Sequence, residues 1–125
     1  DITFPWGDET ATCDYAVMDD DTHTYGCDTG RTMEVGSKTQ GNTVQGLCDM
    51  AGNVSEFVED DWHDDYNGAP TDASAWVDNP RGMRRVYCGG SFGHTADSLR
   101  AAKRDSFDSQ DHDDYLGFRC ARGAP

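Results

Sequence analysis

Gly46-Leu47-Cys48-Asp49-Met50-Ala51-Gly52-Asn53-Val54-Ser55-Glu56-Phe57 is the stretch on which the reading of this chain turns. Gly52 and Asn53 are turn formers, and Val54–Val58 reads as a short strand leaving the turn. Asp49 and Glu56 flank it, so two carboxylates and the carbonyls of a Gly-bearing turn can converge on a cation. Calcium takes about six to eight hard oxygens at about 2.4 Å, from carboxylates and carbonyls alike. The competing reading is that both carboxylates cap turns and pair with arginine. Asn53-Val54-Ser55 also matches a glycosylation sequon, but inside so tight a motif it reads as structural.

Outward from this stretch the elements are short. Arg85–Cys88 and Leu116–Ala121 read as further strands, and Ala96–Arg104 as a short helix or an irregular strand. Fourteen Gly and four Pro, with many Asp and Asn, break up the rest. Residues 59–83 read as one loop, far above the usual length, and such loops are functional or pinned by cross-links and metals. No apolar helical stripe exceeds two turns, and no repeat or low-complexity tract appears beyond Asp19-Asp20-Asp21. The expected fold class is α+β, loop-rich, in one domain over 1–125.

Composition narrows the function. Ten basic and 24 acidic side chains give a formal charge of −14. Such acidity disfavours nucleic acid and anionic membranes as partners, because both repel it. No apolar run approaches the roughly 18 residues of a membrane helix, so membrane insertion is not expected. Leu, Ile, Val and Phe number 16 of 125, below the roughly 20% under which a highly charged chain tends to disorder. Three Trp, five Tyr and five Cys oppose that tendency, and imply an aliphatic-poor domain held by aromatics, disulfides and bound cations. Charge is also polarised: residues 1–80 hold 18 acids against Arg31 and Lys38, while 81–125 hold eight bases against six Asp. The C-terminal third is therefore expected to pair with acids of the rest within one fold.

The cysteines are Cys13, Cys27, Cys48, Cys88 and Cys120, with no CxxC to suggest zinc or dithiol chemistry. An acidic, Gly-rich chain with cysteines reads as secreted, periplasmic or displayed at the cell surface. Cys13 with Cys27 is the expected local bridge, closing a loop of about 15 residues worth roughly 3 kcal/mol. Cys48 with Cys88 is expected as a second, leaving Cys120 free or joined to a partner outside the chain.

Five blocks follow in order: Phe4-Pro5-Trp6-Gly7-Asp8-Glu9, the Gly46–Phe57 stretch, Arg85-Val86-Tyr87-Cys88-Gly89-Gly90-Ser91-Phe92, Arg100-Ala101-Ala102-Lys103-Arg104, and Gly117-Phe118-Arg119. Together they resemble the formylglycine-generating enzyme, or sulfatase-modifying factor, family, across residues 4 to 122. The resemblance implies a variant of the C-type lectin-like fold with little regular structure, a small twisted sheet and structural calcium. It places calcium ligands at Asp49, the carbonyls of Gly52 and Val54, and Glu56. A second family site would draw on Asp14, the Tyr15 carbonyl and Asp28. Family domains carry a large N-terminal portion before the first block, whereas three residues precede it here. A co-folded or disulfide-linked N-terminal chain, joined through Cys120, would complete such a domain.

One departure bears on chemistry. Family enzymes carry two cysteines shortly after the Gly-Gly-Ser-aromatic block, which bind copper and activate oxygen. Here that stretch is Gly93-His94-Thr95-Ala96-Asp97-Ser98-Leu99-Arg100, without a thiol. Neither the soft ligands nor the redox centre is present, so no copper and no formylglycine generation are expected.

Other motifs are weaker. Setting Gly68 at the sixth position of an EF-hand loop puts His63 first and Ser74 twelfth, where Asp and Glu belong. His94, Asp97 and Ser98 have a triad's residue types, but no nucleophile elbow precedes them. Trp6, Trp62 and Trp76 read as core or loop anchors.

Two function classes remain. In the first, a non-catalytic calcium-stabilised domain displays a binding surface over 92–115, with Phe92, His94, Asp97, Ser98, Phe107 and Tyr115 contacting a protein or glycan ligand. Some relatives of the fold, targets of diversity-generating retroelements, present variable side chains there. The second is an oxidoreductase or maturation enzyme of the same family using different chemistry, completed by an N-terminal part.

Overall fold

The computed structural model describes residues 2–121. Four strands make one sheet: β1 (Ser55–Asp61), β2 (Arg84–Cys88), β3 (Asp105–Asp108) and β4 (Leu116–Gly117), in the spatial order β3-β2-β1-β4. β2 runs antiparallel to both β1 and β3, and β4 runs parallel to β1. The β1–β2 register shifts between Phe57 and Asp61, a bulge that twists the strand locally. Thr39–Gly41 and Ala96–Leu99 form 3-10 turns, and among the described residues there is no longer helix.

The loop-rich, small-sheet architecture is the one expected, with specific corrections. The first strand starts at Ser55 and runs three residues past Val58, taking 59–61 out of the anticipated loop. The segment 96–104 is neither helix nor strand throughout. Its 3-10 turn stops where Arg100 turns extended (φ −60°, ψ 138°), and the strand that follows, β3, was not foreseen. Only Leu116–Gly117 of the expected last strand pairs, because β1 offers partners only at Ser55 and Glu56.

The core is small. Phe4, Ala11, Cys13, Ala16, Met18, Ala51 and Leu99 pack together, with Trp6, Cys27 and Ala96 against them. Aromatic stacking supplies what the aliphatic residues lack: Trp6 lies between Phe4 at 5.2 Å and Tyr15 at 5.4 Å, centroid to centroid. The Cys13–Cys27 disulfide closes the same region. The expected Cys48–Cys88 bridge is not formed, and both thiols are free. Cys88 is fixed opposite Glu56 in the β1–β2 ladder, while the Cys48 sulfur lies beside the Gly36 turn.

Asn53 ties these parts together. It is buried in the left-handed region (φ 65°), which asparagine tolerates better than most residues. Its N–H donates to the Val17 carbonyl (2.8 Å), and its carbonyl accepts from the Phe92 N–H (2.9 Å). Its side chain accepts from the Met33 N–H (3.0 Å) and donates to the Met33 carbonyl (3.3 Å). Gly52 before it (φ 81°) has no room for a side chain, since a Cβ would sit 2.8 Å from the Val17 oxygen. The same limit holds at Gly90 (φ 64°), where a Cβ would come within 2.7 Å of Leu99.

A buried carboxylate secures the long loop after β1. Asp61 accepts from the Asp78 N–H (2.8 Å), from Arg81 Nε (2.9 Å) and from Arg85. The loop is thus pinned by ion pairs and main-chain bonds rather than by a cross-link. Arg81 and Arg85 on Asp61, and Arg119 on Glu56, realise the expected pairing of the basic C-terminal third with acids before it.

Asn53→Ala removes both side-chain bonds and places a less tolerant residue at positive φ. We expect a loss of roughly 2–4 kcal/mol, read as a lower urea midpoint at unchanged slope; Asn53→Gly should recover only the backbone part. An unaltered midpoint in both variants would remove the turn from this central role.

Asp61→Asn leaves two arginines without their counter-ion and should cost about 3–5 kcal/mol. Burial pushes the Asp61 carboxyl up, but the Asp78 N–H, Arg81, the Gly82 N–H and Arg85 more than offset this and hold it below its ordinary value. A lowered folded pKa means the contribution is complete above about pH 4 and is lost as pH falls through the folded value. Acid unfolding followed by circular dichroism should therefore be shallower in the variant.

Candidate functional site

The Gly89-Gly90-Ser91 turn delivers Phe92 and His94 to one surface. The Phe92 carbonyl accepts from the Gly26 N–H (2.7 Å), and the His94 carbonyl from the Asp19 N–H (3.0 Å). The Ser91 N–H donates to His94 Nδ1 at 3.0 Å, with the Ser91 hydroxyl at 2.9 Å from the same nitrogen. A main-chain N–H can only donate, so Nδ1 is an acceptor and the neutral ring carries its proton on Nε2. Burial lowers the His94 pKa, with Lys103 adding to the effect and Asp105 opposing it.

Tyr115 meets His94 edge-on at 6.0 Å and Phe107 edge-on at 6.4 Å, which locks three rings in sequence. Tyr25, Phe92, His94 and Tyr115 line an open cleft of about 330 Å³. Behind His94, a cavity of about 20 Å³ is lined by Ser98, Lys103, Asp105 and Cys88 among others, a size that suits one water. Of the six expected contact residues, the structure joins Phe92, His94, Phe107 and Tyr115 in one cluster and Ser98 beside His94. Asp97 stands apart: its side chain is almost fully exposed and loosely paired with Arg100 at 3.7 Å. Tyr25 was not foreseen, because it reaches the cleft through the Gly26–Phe92 bond, which has no local sequence signal.

The carboxylates of the turn at 49–56 make the contacts of the competing reading, a turn cap and an arginine pair. Asp49 caps a turn, accepting the Gly36 N–H at 2.7 Å. Glu56 takes Arg119 in two-pronged fashion, at 2.6 and 2.7 Å, and the same guanidinium donates to the carbonyls of Cys48 (3.1 Å) and Asp49 (2.9 Å). No hydrogen bond among the described residues reaches the Gly52 or Val54 carbonyl oxygens. Those two oxygens, with the Asp49 and Glu56 carboxylates, are the donors that the expected calcium site draws on, and all four are hard oxygen ligands. At the second expected site, Asp14 is exposed, the Tyr15 carbonyl packs against Gly41, and Asp28 caps Thr24 through its N–H (2.8 Å) and hydroxyl (3.2 Å).

Cys13, Asp20 and His23 also come together, but this is a capped loop. The Cys13 sulfur is in the disulfide, and Asp20 accepts the N–H groups of Cys13 (2.8 Å), Thr22 (2.8 Å) and His23 (2.7 Å). Burial would raise the Asp20 carboxyl; these donors hold it well below the ordinary range. Cys120 is exposed and unbridged.

A loop-rich scaffold with a curled four-stranded sheet and a Gly-Gly-Ser turn bonded to the Gly52-Asn53 turn has the architecture of the formylglycine-generating-enzyme class of the C-type lectin-like fold. The chain belongs to the sulfatase-modifying factor enzyme 1-like domain family, whose profile matches residues 2–124. PvdO from Pseudomonas aeruginosa is similar with a TM-score of 0.73 and 35% identity, over 92% of this chain and 41% of that one. Treponema denticola variable protein 1 is similar with a TM-score of 0.61 and 26% identity, over 84% and 34%. The serine/threonine-protein kinase Pkn1 of Chlamydia trachomatis shares 36% identity over 83 residues, 65% of this chain and 13% of its own length. Its counterpart in Chlamydia caviae shares 39% over 80 residues, and this chain again spans 13% of it.

The His94 geometry has a readable consequence. Protonating Nδ1 would set two donors against each other at Ser91, so the folded state favours the neutral ring. The contribution is whole above the unfolded value of about 6.5 and drains away as pH falls below it. Ring nitrogen shifts should show His94 titrating below an unfolded histidine, with the proton of its neutral form on Nε2, and the stability loss from pH 7 to 5 should shrink in His94→Gln. Titration at or above the unfolded value would contradict the assignment.

Proposed function

We propose that this chain is a non-catalytic, calcium-stabilised binding domain that works outside the cytoplasm, as a secreted, periplasmic or cell-surface module. It recognises a protein or glycan ligand through the face built by 92–115. The observation that carries this reading is the cleft of Tyr25, Phe92, His94 and Tyr115, braced by Phe107. Rings held in place by one another offer contact area at low entropic cost, and the histidine and tyrosine edges supply polar contacts. Calcium would be held by Asp49, Glu56 and the Gly52 and Val54 carbonyls, where it would stiffen the turn beneath this face. The absence of thiols after the Gly-Gly-Ser block argues against copper-dependent oxidation. Kinase chemistry depends on H-R-D and D-F-G motifs, and this chain contains neither.

A second reading, an enzyme of different chemistry completed by an N-terminal part, draws on the polar groups around the small cavity: His94, Ser98, Lys103 and Asp105. The partial coverage of PvdO also favours it, with exposed Cys120 as the point of linkage. Intact mass before and after reduction separates the two, since release of a second polypeptide supports the enzyme.

Two outcomes test the binding reading. Calcium at about ten times Kd should add about 1.4 kcal/mol, seen as a rise in Tm that EDTA reverses and that Asp49→Asn or Glu56→Gln abolishes. A glycan array and a peptide-display library screened with the intact chain should yield a ligand whose capture is lost in Phe92→Ala/Tyr115→Ala with the fold retained by far-UV dichroism. Retention of that ligand by the double variant would move recognition away from this face.

A further inference from the structure

A second cleft, which shares no lining residue with the cleft of Tyr25, Phe92, His94 and Tyr115, lies over the β1–β2 part of the sheet and encloses about 280 Å³. Val58 and Val86 form its apolar floor, Tyr66 and Trp76 its aromatic walls, and Asp60 and Arg104 its charged rim. That volume is at the small end of ligand pockets, and the mixture of apolar lining with a few polar groups is their usual chemistry.

Trp76 and Arg104 are held by several contacts each. Trp76 stacks flat on His63, with centroids 3.6 Å apart and planes within 5°. Its N–H donates to Asp60 Oδ1 (3.1 Å), and its carbonyl accepts from Asp61 (2.9 Å). Arg104 lies over Tyr66 at 4.1 Å and Trp62 at 5.0 Å, and donates to the His63 carbonyl at 3.1 Å. These contacts hold the guanidinium in place and use few of its five donors.

The decisive feature is a pairing that is not made. In a chain of net charge −14, Arg104 has no carboxylate partner and Asp60 no cationic partner among the described residues, although both line this cleft. Asp61, next in sequence, is engaged by two arginines. A half-buried cation and anion set apart on the rim of an aromatic pocket match a ligand that carries both charges itself. We propose that this cleft binds a free aromatic α-amino acid. Its ammonium meets Asp60, its carboxylate meets Arg104 by charge-assisted hydrogen bonds, and its ring packs on Trp76 above Val58 and Val86.

L-Phenylalanine, which adds no indole signal, is the probe. Titrated to about 10 mM and followed by NMR, it should shift the Trp76 indole resonance saturably. N-acetyl-L-phenylalanine and L-phenylalaninamide each lack one charge and should bind at least about tenfold more weakly. Asp60→Asn keeps the acceptor for the Trp76 N–H but not the charge, and should weaken phenylalanine about tenfold while leaving the N-acetyl compound unchanged. Val58 is partly exposed, so Val58→Trp should fill the cleft and abolish binding at unaltered far-UV dichroism and Tm, a readout that stands even if Asp60→Asn fails to fold. No saturable shift, equal binding of all three compounds, or shifts at Tyr25 and Tyr115 instead of Trp76 would each overturn the proposal.

Discussion

The chain depends on the turn at Gly52-Asn53 more than on any hydrophobic layer. Asn53 spends its N–H, its carbonyl and both ends of its amide on Val17, Phe92 and Met33. Gly52 adds a bond from its N–H to the Gly89 carbonyl at 2.9 Å. One turn thereby fastens the N-terminal loops, the Gly-Gly-Ser turn and the start of β1. In a domain where few of the 125 residues are aliphatic, this substitutes for packing area. A buried, fully satisfied amide fixes geometry because every alternative leaves a donor or acceptor unpaired.

Charge completes the same task further out. A carboxylate as buried as Asp61 is costly unless its oxygens are filled, and here three donors from the following segment fill them. The loop from 62 to 83 is therefore not a free excursion: its return path is dictated by what Asp61 needs. Arg119 acts similarly at the opposite edge of β1, binding Glu56 and the carbonyls of Cys48 and Asp49, and so fixing the short strand β4 beside β1.

Much of this was legible in the residues, and the failures have physical causes. The motif order gave the family and hence the fold. The Gly-Asn turn, the local disulfide and the charge complementarity between the chain's thirds followed from residue types alone. β3 leaves no mark in the sequence, because Asp105-Ser106-Phe107-Asp108 lacks an apolar alternation; it is a strand because β2 offers four partners, from Arg84↔Asp108 to Tyr87↔Asp105. The Cys48–Cys88 bridge was inferred by counting, and counting cannot see that a ladder and a loop hold the two sulfurs apart. Tyr25 and the Asp60–Arg104 cleft depend on contacts between residues distant in the chain, which only the fold creates. Asp97 failed for the opposite reason. Sequence neighbours of His94 in a 3-10 turn point in successive directions, so adjacency does not place them on one face.

The way the 92–94 backbone is held bears on how such a face evolves. Phe92 is fixed by its own N–H to Asn53 and its carbonyl from Gly26, and His94 by its N–H to Ser91 and its carbonyl from Asp19. All four are main-chain bonds, and none depends on which side chain the residue carries. At Phe92 the fold therefore constrains the backbone and leaves the side chain free to vary. His94 is the exception, since its Nδ1 also satisfies Ser91, and a residue there must supply an acceptor or leave that N–H to water. Side chains can thus change at Phe92 with little effect on the Asn53 turn below, while substitution at His94 reaches into the frame itself.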